Sequence, residues 1–153
     1  MINVVNNRAQ ADLISSPGEQ NVLESRPCVF FYANCRSLVP KFHHLTQYIA
    51  IHNPKIICLT ETWLDSSIPS SFITPANFQC FRFDRPYSKG GGVVIFVSNE
   101  LSTCGIDFPT CLPVEHVAAR VMFSKDVALD ILCVYRPPNL SSYDDSSLHG
   151  LLN

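Results

Sequence analysis

Charge is scarce in this sequence. Only 16% of its 153 residues are Asp, Glu, Lys or Arg, and the formal balance is −2, so no global basic footprint marks a nucleic-acid binder. Any contact with a polyanion would depend on local charge or on a metal ion. Long apolar runs are missing too. None approaches the roughly 20 residues that span a bilayer, and the N-terminus lacks the basic start and apolar stretch of a secretion signal. The seven cysteines (Cys28, Cys35, Cys58, Cys80, Cys104, Cys111 and Cys133) contain no C-x-x-C pair, which removes the common zinc and thiol-redox spacings. Odd in number and several of them inside strand-like runs, they read as reduced, buried thiols of an intracellular chain, cytoplasmic or nuclear. There is no internal repeat. The triplet Gly90-Gly91-Gly92 lacks the Lys-Ser/Thr of a phosphate-binding P-loop and enters a strand rather than a helix, so a tight hairpin turn is its expected role.

What the sequence does have is core material: 46% of its residues are apolar, in a length suited to one ordinary domain. Residues 1–27 mix Asn, Ser, Gln and Glu and read as a loose leader. Residues 28–33 are aromatic and β-branched, the first expected strand and a buried one, ending in the polar cluster Asn34-Cys35-Arg36-Ser37-Leu38. Pro40 can open a helix, and Phe42, Leu45 and Ile49 fall at helical spacing up to Asn53-Pro54, which stops it. Ile56-Ile57-Cys58-Leu59 then reads as a strand buried on both faces. Strand, helix and strand in about thirty residues form a β-α-β unit whose strands run parallel. Asn34 and Glu61 would therefore share one end of a sheet, where α/β folds build their sites.

Past Leu64 a Ser- and Pro-rich loop runs to Pro75, residues 78–83 alternate as a half-buried strand, and residues 93–97 form another buried one. Residues 98–113 read as irregular, and residues 117–123 and 127–134 pair as a hairpin around Ser124-Lys125-Asp126. After Asn139 the composition turns to Ser, Asp and Tyr, giving a partial domain over residues 28–140 and a polar tail over 141–153.

Glu61 is the pivotal residue. A lone carboxylate costs several kcal/mol to desolvate, so at the end of a buried strand it must meet water, a donor network or a cation. One carboxylate and one amide hold a divalent cation weakly. Mg2+ tolerates this, keeping several waters and adding a substrate phosphate, and a phenol or amide nearby could stabilise the charge developing on that phosphate. A solvated Glu61, a turn-forming Asn34 and an edge-strand Tyr135 are the plain alternatives.

In order along the chain, Asn34-Cys35-Arg36-Ser37-Leu38, Leu59-Thr60-Glu61-Thr62-Trp63-Leu64, Phe83-Asp84-Arg85 with Gly90-Gly91-Gly92-Val93, and Val134-Tyr135-Arg136-Pro137-Pro138-Asn139 resemble the endonuclease/exonuclease/phosphatase superfamily. The closest likeness is to the apurinic-type endonuclease domain of non-LTR (LINE and jockey-like) retrotransposon reverse transcriptases. The resemblance runs from about Cys28 to Asn139. It implies an α+β fold, a four-layer αββα sandwich present in part and truncated at its C-terminus, that cuts one DNA strand with Mg2+ or Mn2+. It implies Glu61 as metal ligand, with Asn34 orienting that site. Tyr135 would sit against the scissile phosphate, and Asn139 would contact DNA or the active-site network. Arg36 and Arg136 would lie beside the DNA backbone, while His43, His44 and His116 match no catalytic position.

The sequence departs from the family in one respect that matters. It contains no Asp-x-Asn motif to activate water and no Ser-Asp-His motif; both belong to the second half of the fold, and Asp144 and Asp145 are poor substitutes. The expectation is thus an endonuclease-derived piece, inactive alone. A non-catalytic scaffold and a phosphoester hydrolase acting on small molecules or lipids are the alternatives. A missing second half would also uncover residues 93–97 or 129–134, leading to self-association.

Overall fold

The run Ile56-Ile57-Cys58-Leu59 builds the strand on which the others assemble. In the computed structural model, which describes residues 28–86, 88–107 and 114–138, β2 (Ile56–Thr60) is buried at every position. The leader, the polar tail, Cys111 and Asn139 lie outside the described residues. On one edge β2 pairs in parallel with β1 (Phe30–Asn34), setting Asn34 opposite Thr60. The link between them is α1 (Phe42–His52), preceded by a 3-10 turn that carries Pro40. Asn53, left-handed at φ 46, caps the helix ahead of Pro54, a common way for a helix to end.

After β2 come a short helix, α2 (Ser70–Ile73), then β3 (Phe78–Phe83) and β4 (Val93–Ser98). β4 is antiparallel to both β2 and β3, and the sheet order is β1-β2-β4-β3. A second, antiparallel sheet holds β5 (Ser102–Ile106), β6 (Glu115–Met122) and β7 (Ala128–Tyr135) in that order.

The two-residue period of the strands divides the core in two. Ile56, Cys58, Val93, Ile95 and Val97 face the second sheet and meet Ala119, Val121, Ile131 and Cys133. Ile57, Leu59, Val94 and Phe96 point the opposite way, beneath Leu45 of α1 and beside Leu38, Leu64 and Ile73. Each such fully buried side chain contributes about 1.5–3 kcal/mol. The result is a mixed α+β architecture in which helix, sheet and sheet stack as three of the four expected layers.

Four sequence expectations need correction. β1 is a half-exposed edge strand, with Phe30 45% and Tyr32 40% exposed, because its second edge has no partner strand among the described residues. Residues 98–113 are not wholly irregular: β5 pairs with β6, and Thr103 Oγ1 donates to Arg120 O at 2.7 Å. The Ser- and Pro-rich loop carries α2. Finally, residues 93–97 are not uncovered; each is fully buried between α1 and the second sheet. In β7, Ile131 and Cys133 are buried as well, while Leu129, Leu132 and Val134 are partly exposed.

Candidate active site

Because β1 and β2 run parallel, they end at one edge of the sheet. Asn34 is the last residue of β1, and Glu61 directly follows β2. Asn34 Nδ2 donates to Glu61 Oε1 at 2.9 Å. The backbone stays zipped past the strand ends: Cys35 N donates to Thr60 O, Ser37 N to Glu61 O and Leu38 N to Thr62 O, each at 2.9 Å. On the other flank Thr62 N donates to Gly92 O at 3.2 Å and Trp63 N to Gly91 O at 2.9 Å. This clamping holds unusual backbone. Arg36, Ser37, Glu61 and Trp63 all have left-handed φ (42, 76, 53 and 54°), conformations that cost bulky residues about 1–3 kcal/mol each and gather at functional sites.

Tyr135, the last residue of β7, reaches the same corner from the second sheet. Burial, then a hydrogen bond to Glu61 and the charge of that carboxylate, push its phenol above the ordinary range, while Arg85 opposes them. The hydroxyl is thus held protonated and donates to Glu61. Arg36 Nε stands 4.0 Å from Glu61 Oε2, but the Arg36 side chain is 78% exposed, so solvent screens the pair. Arg136 is exposed and its Nη1 donates to Pro137 O at 3.4 Å. Asn139 cannot be placed, being outside the described residues.

Two residues of this corner were not candidates from sequence. Glu115, at the start of β6 and opposite Tyr135 in register, is buried and accepts from both Arg85 Nε and the Gly92 amide. The Arg85 guanidinium in turn lies over the Tyr135 ring, 5.8 Å from its centroid. Arg85 and Glu115 are thirty residues apart in sequence, and a lone acid at a strand start gives no signal of such a pairing. The glycine turn is built around it. A Cβ on Gly91 would collide with Glu115 and come within 2.6 Å of Arg85, and one on Gly92 (φ 83) would strike the buried Thr62 hydroxyl.

The Glu61 carboxylate and the Asn34 amide oxygen are the groups that could hold a cation. Among the described residues no three His, Cys, Asp or Glu side chains gather as a metal cage. The donor set is wrong for closed zinc and fits a hard cation that keeps most of its waters.

Comparison with solved structures finds this arrangement of sheets in DNA-processing enzymes. The 3′ phosphatase NExo from Neisseria, bound to a product DNA hairpin, matches with TM-score 0.53 at 20% identity, over 79% of this chain and 46% of its own. The AP endonuclease LMAP from Leishmania major matches with TM-score 0.52 at 12% identity, over 77% of this chain and 42% of its own. The fold is therefore of the endonuclease/exonuclease/phosphatase type, and the chain spans less than half the length of either structure. No protein-family model matches the sequence, and no curated protein does.

Proposed function

We propose that these residues are the front portion of a Mg2+-dependent DNA endonuclease domain from a retrotransposon-encoded reverse transcriptase, acting in the nucleus or cytoplasm and inactive by themselves. The observation that carries the reading is the Asn34–Glu61 bond at 2.9 Å between the ends of two parallel strands, with the Tyr135 phenol directed at the same carboxylate. The retroelement assignment is supported by Glu61-Thr62-Trp63-Leu64 together with Tyr135-Arg136-Pro137-Pro138-Asn139.

Each group has a chemical task in this reading. Glu61 and Asn34 would hold Mg2+ or Mn2+, which when bound draws charge from a phosphate oxygen. Tyr135, kept protonated, donates to a non-bridging oxygen whose charge grows in the transition state. Arg36 and Arg136, both exposed, meet neighbouring backbone phosphates, and Asn139, outside the described residues, would contact DNA or the active-site network. Among the described residues the corner brings no second acid or histidine beside Glu61 to take a proton from water, Glu115 being held by Arg85 and the Gly92 amide, and the sequence offers no Asp-x-Asn or Ser-Asp-His to do so. General acid–base help is worth about 10²–10⁴ in rate. That gap favours one second reading, a non-catalytic remnant that retains the sheet.

Plasmid nicking with Mg2+ tests the proposal. The chain alone should nick at least about 10²-fold more slowly than the same chain fused to the second half of a nuclease of this fold, and Glu61→Ala should abolish nicking by the fusion. Undiminished nicking by the Glu61→Ala fusion contradicts the assigned site. A fusion that never nicks supports the remnant.

A further inference from the structure

Beside the corner lies a cleft of about 530 Å³, lined by Trp63, Asp65, Arg85, Lys89 and Gly90 among others. We propose that this cleft binds one unpaired DNA nucleotide, its base stacked on Trp63 and its phosphate held by Lys89 and Arg85. This rests on the nuclease reading only for the role of the bound nucleotide, as neighbour of the phosphate to be cut.

Four observations converge on it. Trp63 is the chain's one tryptophan, and it is 39% exposed where an indole would ordinarily be covered. It is held out by a left-handed backbone (φ 54) whose amide is fixed to Gly91 O at 2.9 Å, so the platform is rigid before any ligand arrives. The facing wall is cationic. Lys89 is exposed, and a Cβ on Gly90 would lie in ordinary contact, 3.7 Å, with both Arg85 Nη1 and Trp63 Nε1, so the guanidinium and the indole edge both border the Gly90 backbone. Among the described lining residues there is one carboxylate, Asp65, whose Oδ1 accepts from Ser67 N at 2.8 Å and from Ser67 Oγ at 2.5 Å, while Arg82 Nη2 donates to the Asp65 backbone carbonyl at 2.9 Å.

Position supplies the rest. Trp63 is two residues past Glu61, a reach of about 7 Å at most, and Arg85 joins the cleft to Tyr135 by lying over its ring. An aromatic face next to cations is the construction by which proteins hold single-stranded nucleic acid without reading its sequence. A base flat against Trp63 must leave its pairing partner, so a fully paired duplex does not fill the cleft.

The test uses the full chain in EDTA, with a short oligo-dT strand as probe and the emission of Trp63 as readout. Oligo-dT should quench that emission in both the parent chain and Glu61→Ala, and a fully paired duplex should quench it less. By anisotropy of fluorescein-labelled oligo-dT, Trp63→Ala should bind about tenfold or more weakly, with Trp63→Phe recovering most of the loss. Lys89→Ala, a substitution at an exposed position that leaves the fold intact, should flatten the logarithmic salt dependence by roughly 0.7. Binding with unchanged emission, or equal affinity for parent and Trp63→Ala when circular dichroism shows both folded, overturns the proposal. No quenching by the chain, together with Mg2+-dependent nicking by its fusion to the second half of a nuclease of this fold, sinks the cleft and spares the nuclease reading; quenching by the chain with a fusion that never nicks does the reverse.

Discussion

Among the described residues, two clefts of nearly equal size have a carboxylate in or beside them, and the two carboxylates differ in how their charge is met. The cleft lined by His52, Lys55, Glu100 and Phe123 among others has a volume of about 570 Å³. Its Lys55 donates directly to Glu100 at 2.6 Å and to Asn53 at 3.2 Å, so its cation and anion satisfy each other. Around Glu61, beside the 530 Å³ cleft, the partners are an amide, a phenol and a guanidinium 4.0 Å away in solvent. That carboxylate retains charge to offer a cation. Volume does not separate the two clefts. A carboxylate met mainly by neutral donors, on clamped, left-handed backbone at the ends of parallel strands beside one of them, does.

The largest expected effect lies in the support of the corner. Glu115 and Arg85 side chains are only 11% and 23% exposed, and removing one partner of such a pair leaves a buried charge unmatched. Glu115→Ala should lower unfolding free energy by about 3 kcal/mol. Glu100→Ala, in a pair whose acid is 68% exposed, should lose under about 1 kcal/mol. Equal losses in urea melts would erase the contrast between the clefts.

A smaller effect concerns pH. The fold raises the Tyr135 pKa, so the stabilisation tied to its neutral form is complete below the unfolded value near 10 and is lost as pH rises through the folded value. Above pH of about 10 the parent chain should therefore lose stability more steeply than Tyr135→Phe. Parallel curves would mean that the phenol does not face the Glu61 carboxylate.

Much of this was legible in the sequence, and the reason is local. The runs at residues 56–59 and 93–97 are apolar without interruption because each strand is covered on both faces, and a parallel pair joined by α1 forces Asn34 and Glu61 to one edge. β5 was missed because Ser102–Ile106 is a short edge strand, with a polar start and a glycine, that owes its form to β6. α2 is a single turn with no room for periodicity. The burial of residues 93–97 depends on β6 and β7 meeting β4, contacts far apart in the chain. The Arg85–Glu115 pair escaped notice likewise, since it exists only once the glycine turn of the first sheet meets the first residue of β6.

The claim on which the rest depends is that a divalent cation is drawn to the Asn34–Glu61–Tyr135 corner. Mn2+ added to isotope-labelled protein broadens the NMR signals of amides near the bound ion. Broadening should begin at Asn34, Cys35, Glu61, Thr62 and Tyr135 and should vanish in Glu61→Ala. Broadening centred on Lys55 and Glu100, or unchanged in Glu61→Ala, would contradict the account.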